Sequence, residues 1–271
     1  MNLSPTQQRQ DLRDGLTALL AARRTVDWEE LVSSDLGYDP ELWSDLVSGG
    51  WVTVGFPEAD GGHGGGVGDL VVVAEALGRG PVPAPFHGGI VLCGQALLAV
   101  SGERDRLRAL LSGERTFTNC GWEGFLEQGG RRPVVVATET TPGWQLDGVA
   151  RFVPYGSDAD ELLVMADAGA GGDRPGPTLF AVPGSSSGLT TRLVPSVGGD
   201  RYCHVTFSGV EVDASQVVGQ VGGAMRWLPG VLDVGRVVIA AATTARRWLT
   251  DPNTGARAAM RRCQRWRGWS A

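Results

Sequence analysis

The sequence predicts an α+β multidomain chain: an N-terminal all-α helical domain, a central antiparallel β sandwich or barrel, and the start of a C-terminal helical domain. Three observations carry this. Apolar residues recur at helical spacing from about residue 5 to 115, the period changes to strand-like alternation near Phe117, and helical spacing returns from Gly222 to about Ala245. The corresponding segments are 1–115, 116–215 and 216–245, followed by an atypical tail over 246–271.

In the first segment, Leu12, Leu16, Leu19 and Leu20 form one stripe. Leu42, Trp43, Leu46 and Val47 form a second, which Gly49-Gly50 closes. Asp69 leads Leu70, Val71, Val73, Ala74 and Leu77 into a third helix, and Ile90–Val100 and Arg104–Leu111 supply two more. In the second segment Pro133–Ala137, Trp144–Leu146 and Arg151–Val153 read as strands, with Asp147-Gly148 signalling a tight hairpin turn. Leu162–Met165, Thr178–Val182 and His204–Val212 continue the pattern between Gly- and Pro-rich loops. Met225, Leu228, Leu232 and Ile239 mark the returning helix.

The tail differs in charge. Residues 246–271 carry seven Arg against the single acid Asp251, whereas residues 1–245 carry 17 Arg against 29 acids. Asp251-Pro-Asn-Thr-Gly255 also interrupts the helical stripe. An Arg- and Trp-rich stretch of this kind is what a GC-rich gene encodes in a wrong reading frame, so the tail is expected to pack poorly. The competing reading is a basic arm for phosphate groups or an acidic partner.

Composition excludes several classes. With 271 residues and 42% apolar content the chain is long enough to bury a core, and its net charge of −6 argues against a nucleic-acid surface. All 24 basic residues are Arg. Without Lys there is no P-loop cation, pyridoxal Schiff base or Lys general base. Cys93, Cys120, Cys203 and Cys263 are too scattered for a disulfide frame or metal site. The polar start, and the lack of an apolar run near the roughly 18 residues of a membrane span, lead to the expectation of a cytoplasmic protein with no membrane partner.

Two Gly-rich motifs invite catalytic readings that their contexts do not support. Gly61–Gly68 fits no Gly-x-Gly-x-x-Gly register and follows no strand, so a plain flexible loop is expected. Gly184-Ser-Ser-Ser-Gly188 matches a nucleophile elbow, but strand-like Leu189–Pro195 follows where a helix is required, which makes it a hairpin loop. His63, His87 and His204 form no triad on sequence grounds.

An ordered set of segments carries more information. Trp51-Val-Thr-Val-Gly-Phe-Pro-Glu58, then Gly61-Gly62 and Gly64, then Asp69-Leu-Val-Val-Val-Ala-Glu-Ala-Leu-Gly78 resemble the N-terminal signature of the acyl-CoA dehydrogenases. Gly143–Gly148, Phe152–Gly156, Ala159–Ala166 and Val205–Val212 resemble successive strands of that family's β domain. The resemblance covers about residues 1–245. It implies FAD as hydride acceptor at the junction of the β domain and a C-terminal four-helix bundle, an acyl-CoA thioester as substrate, and α,β-dehydrogenation as the reaction.

Site residues follow from the same resemblance. Phe152 occupies the position of the aromatic packed against the flavin, and Pro154 stands where the family has a hydroxyl or amide. Trp122-Glu123 falls where the family has Thr-Glu, so only the Glu is kept. Asp233 and Arg236, three apart on one helix face, match a pair facing the bound thioester, with a solvated ion pair as the alternative. The family's catalytic Glu and its Arg-x-x-Phe-Gly segment have no counterpart, so no catalytic residue is assigned. The expectation is an incomplete or partner-dependent enzyme, in a homo- or hetero-oligomer with a dehydrogenase subunit. A non-catalytic acyl-CoA- or partner-binding pseudoenzyme and a flavin-dependent hydroxylase or oxidase are the alternatives.

Overall fold

A computed structural model describes residues 6–23, 31, 34–79, 82–122, 134–169, 176–196 and 201–245. The tail 246–271 and Glu123 lie outside the described residues.

The helical layer begins with α1 (Gln7–Ala22), whose first turn is capped by the Thr6 hydroxyl accepting from the Arg9 amide. In α2 (Pro40–Ser48) the Asp39 carboxylate accepts from the amides of Glu41 and Leu42, and proline sits in the first turn. A Gly-rich loop leads to α3 (Val67–Arg79). The loop is not the loose connector expected from its composition. A Cβ on Gly62 would lie 2.0 Å from the Phe56 carbonyl oxygen, so the backbone there passes where only glycine fits. Asp69 closes the loop by accepting from the Gly66 amide at 2.9 Å, and Arg9 of α1 donates to the same carboxylate at 3.1 Å. These contacts hold the Asp69 carboxyl below its ordinary range even though burial pushes the other way.

The next helix starts earlier than its apolar spacing indicates. Phe86–Cys93 is a π-helix that runs directly into α4 (Gly94–Ala99), and α5 (Arg104–Leu111) follows.

Among the described residues eight strands form one sheet: β1 (Phe117–Cys120), β2 (Val135–Glu139), β3 (Gly143–Pro154), β4 (Glu161–Asp167), β5 (Pro177–Pro183), β6 (Leu189–Val194), β7 (Tyr202–Asp213) and β8 (Val217–Val218). Their order is β6-β7-β3-β2-β4-β5-β8, with β1 also on β4. Most pairings are antiparallel, but β1 and β2 both run parallel to β4 along one of its edges, so the sheet is mixed. β4 is buried on both faces, which explains its unbroken apolar run: Leu163 and Met165 face the helices, while Leu162, Val164 and Ala166 face the interior of the curled sheet. That interior is closed by contacts such as Trp144 edge-on to Phe180, with ring centroids 5.9 Å apart.

Two turn expectations are corrected. Asp147-Gly148 makes no hairpin, because β3 runs straight through it. The register slips there, leaving Ser208 and Gly209 of β7 opposite Asp147, whose carboxylate accepts from the Gly209 amide at 2.8 Å. An Asp-Gly pair serves a bulged crossing as well as a turn. The Ser-rich loop 184–188 joins β5 to β6, strands that lie apart in the sheet and do not pair, so it is a crossover rather than a hairpin.

The chain then forms α6 (Leu228–Ala245), which packs on α3 and on the π-helix. No long uninterrupted apolar run marks it in the sequence, since Asp233 and Arg236 break the run. Its 18 residues nonetheless average a hydropathy of 1.4, enough by length and composition to cross a membrane. Leu228, Val231, Leu232 and Val238 are buried against the helical layer, as in the core helix of a globular domain, whereas Val237 and Ile239 are exposed.

Candidate functional site

The site is built around a distortion in β3. Ala150 pairs with Val205 and Val153 with Cys203, which leaves Arg151 and Phe152 opposite the single residue His204. This bulge turns Phe152 outward with φ +54°, and its side chain is 60% exposed. A bulky residue in the left-handed region costs on the order of 1–3 kcal/mol and persists only where its surroundings impose it. Tyr155, three residues on, is also left-handed at φ +51°.

The surroundings of the bulge do impose it. The Thr118 hydroxyl of β1 donates to the Pro154 carbonyl at 2.5 Å, and the Tyr155 amide donates to the Arg201 carbonyl at 2.8 Å. The Tyr155 ring stands edge-on to Tyr38, 5.6 Å away, and Arg201 donates to the Ser34 carbonyl at 2.8 Å, so the loop after β3 is tied to the helical layer. Burial pushes the Cys203 thiol up to about 11, which keeps it protonated as a donor to the Val153 carbonyl.

The residues singled out in the sequence fall in three places. Phe152 and Pro154 share the rim of the bulge. Trp122, directly after β1, is 1% exposed; its indole donates to the Leu163 carbonyl at 2.8 Å and packs edge-on to Trp227. Its N–H is therefore engaged and its ring faces core. Asp233 and Arg236 sit on the outer face of α6, bonded to each other at 2.6 Å and both mostly exposed. Pro154, lacking an N–H and a hydroxyl, offers a ligand only its ring. The chain thus presents an aromatic platform on a fixed rim, with the Thr118 hydroxyl on that rim turned toward the Pro154 carbonyl.

Sequence reading missed Thr118 and His204 as parts of this rim. Their roles depend on which strands lie beside β3, and no local pattern reports that.

A helical layer joined through such a rim to a curled mixed sheet, and continued by an apolar helix, is an arrangement that the chain shares with solved acyl-CoA dehydrogenase structures. Residues 6–112 match the family described as acyl-CoA dehydrogenase, N-terminal domain. The chain is 29% identical over 232 residues to the acyl-CoA dehydrogenase FadE27 of Mycobacterium tuberculosis, covering 84% of this chain and 59% of that protein. Among solved structures, a variant of the Tcur3481–Tcur3483 steroid ACAD aligns at 28% identity and a TM-score of 0.73, covering 87% of this chain and 62% of that one. The ChsE4–ChsE5 complex from Mycobacterium tuberculosis aligns at 26% identity and a TM-score of 0.72, covering 97% of this chain and 73% of that one. The chain is thus similar to acyl-CoA dehydrogenases in sequence and fold, and it spans less than two thirds of the length of FadE27.

Proposed function

We propose that this chain is an acyl-CoA dehydrogenase-like flavoprotein subunit that contributes the flavin platform and completes its active site with a partner dehydrogenase subunit. The observation that carries this is Phe152, 60% exposed and held out by a strained bulge at the position where the family packs an aromatic against the flavin. FAD, when bound, supplies the hydride acceptor for oxidation of the Cα–Cβ bond of an acyl-CoA thioester. Phe152 would stack on it and Pro154 would border it, while Trp122 supports β1 from behind; Glu123 completes the set of proposed cofactor contacts. Stacking on the exposed Phe152 ring is the main contact that this rim offers the ring system.

Asp233 and Arg236 are the proposed thioester-side residues. This oxidation also needs a base for the α-proton and donors for the enolate oxygen. Asp233 is the one acid in residues 216–245 and is bonded to Arg236, so this segment offers no free carboxylate as the base, and a partner subunit is the proposed source. A partner subunit fits the hetero-complexes named among the structural relatives, and the steroid ACAD among them makes a bulky acyl-CoA a candidate beside fatty acyl-CoA.

Two measurements test this. The chain co-expressed with a neighbouring dehydrogenase gene should purify yellow, with flavin absorbance. The chain alone should show no dye-linked turnover of fatty or steroid acyl-CoA. Turnover by the chain alone, or a colourless co-purified complex that turns over acyl-CoA, would overturn the reading.

A further inference from the structure

The Thr118 and Tyr155 hydrogen bonds fix the backbone of the bulge; the exposed ring of Phe152 has a neighbour of its own. On β7, His204 is the single residue opposite Arg151 and Phe152, and its ring stands edge-on to Phe152 with centroids 5.5 Å apart at 87°. On β6, Arg192 is the register partner of His204 and its Nη2 lies 3.1 Å from His204 Nδ1. A guanidinium is only a donor, so Nδ1 accepts and the imidazole proton resides on Nε2. Nε2 is buried without a hydrogen-bond partner among the described residues. A buried donor left unmatched carries a cost and is retained where the ring position serves another purpose.

We propose that His204, fixed by Arg192, is a positioning residue that holds Phe152 in its outward, flavin-accepting orientation. The three side chains form a clamp across β6, β7 and β3: Arg192 sets the tautomer and rotation of His204, and the His204 ring blocks collapse of Phe152 onto the sheet. The flavin part of this rests on the proposed function above. The clamp itself rests on the register and ring geometry alone.

The test uses the full chain. The sequence contains three histidines, so a 13C-histidine-labelled sample gives three imidazole signals, one of which belongs to His204. Phe152→Ala and Arg192→Ala should both move that same signal, the first by removing the ring current and the second by releasing the imidazole. FAD binding is then followed by flavin fluorescence. Phe152→Ala and His204→Ala should each weaken it about threefold to tenfold, the range of one aromatic pair. The double variant should be no weaker than Phe152→Ala alone, because the two residues act through one contact. His204→Phe, which keeps a ring at that position, should recover part of the loss.

Unchanged affinity in His204→Ala beside a loss in Phe152→Ala would overturn the positioning role while leaving the flavin reading intact. Unchanged affinity in Phe152→Ala, or no FAD binding by any form, would remove the flavin reading. The clamp would then stand or fall on whether Arg192→Ala moves the signal that Phe152→Ala moves.

Discussion

His87 of the π-helix donates its Nε2–H to the Gly235 carbonyl of α6 at 3.0 Å, pinning the last described helix to the helical layer. The imidazole is mostly buried, and burial lowers its pKa below the ordinary value, with the Gly235 hydrogen bond partly opposing. A histidine whose folded pKa is depressed stabilises the fold fully above its unfolded pKa of about 6.5, and that stability is lost as pH falls through and below this value. His87→Gln, which keeps a donor but does not titrate, should therefore show a smaller loss of melting temperature between pH 7 and pH 5 than the parent chain. Equal losses in both would show that His87 does not report the helix contact.

The same helix makes a second, sharper prediction at Gly78. Glycine inside a helix ordinarily costs about 0.5–1 kcal/mol relative to alanine, so Gly→Ala is normally stabilising. Here a Cβ on Gly78 of α3 would lie 2.2 Å from the Ala242 carbonyl oxygen of α6. Backbone cannot yield as a side chain can, so α3 and α6 would have to separate. Gly78→Ala should destabilise the chain by about 1–3 kcal/mol in urea unfolding, the usual cost of overpacking. A more stable variant would mean that α6 does not pack this closely in solution.

Helical stripes such as Leu42-Leu46 and strands such as Leu162–Met165 were legible because their periods are local and their burial follows from them. The sheet order was not. Whether Asp147-Gly148 turns or bulges is decided by Ser208 and Gly209 on a strand some sixty residues away. The parallel course of β1 and β2 on β4 likewise depends on long-range pairing. At the site, Phe152 was singled out by the resemblance, but its contact with His204, and that of His204 with Arg192, required strand register. Trp122 was legible as a position and not as an environment, since nothing in Gly121-Trp122 announces that its N–H is spent on Leu163.

Glu161 joins the two layers. It is 7% exposed at the start of β4, with Arg115 Nη1 at 2.7 Å and Arg106 Nε at 3.5 Å, and Arg106 belongs to α5. Arg115 is half exposed, which weakens its share of the attraction. Glu161→Gln keeps the shape and removes the charge. It should cost about 1–2 kcal/mol, in the range of a hydrogen bond to a charged group. Helical and sheet signals should then melt apart, or at least less steeply together, in denaturant. An unchanged midpoint and slope would place the attachment of the layers in apolar packing alone.

The last prediction separates structure from function on α6. Asp233 and Arg236 bond at 2.6 Å, but both are largely in water, and exposed i,i+3 pairs contribute at most about 0.5 kcal/mol. Asp233→Asn and Arg236→Gln should therefore leave the melting temperature of the isolated chain almost unchanged. If the pair faces a thioester once a partner subunit is in place, the same substitutions should weaken acyl-CoA binding to the assembled complex by about tenfold, roughly one charge-assisted hydrogen bond. Isothermal titration of the complex with a non-reactive acyl-CoA thioether decides between the two roles. Unaltered binding in both variants, with unaltered stability, would leave Asp233 and Arg236 as a solvated ion pair on a helix surface and would remove them from the proposed site.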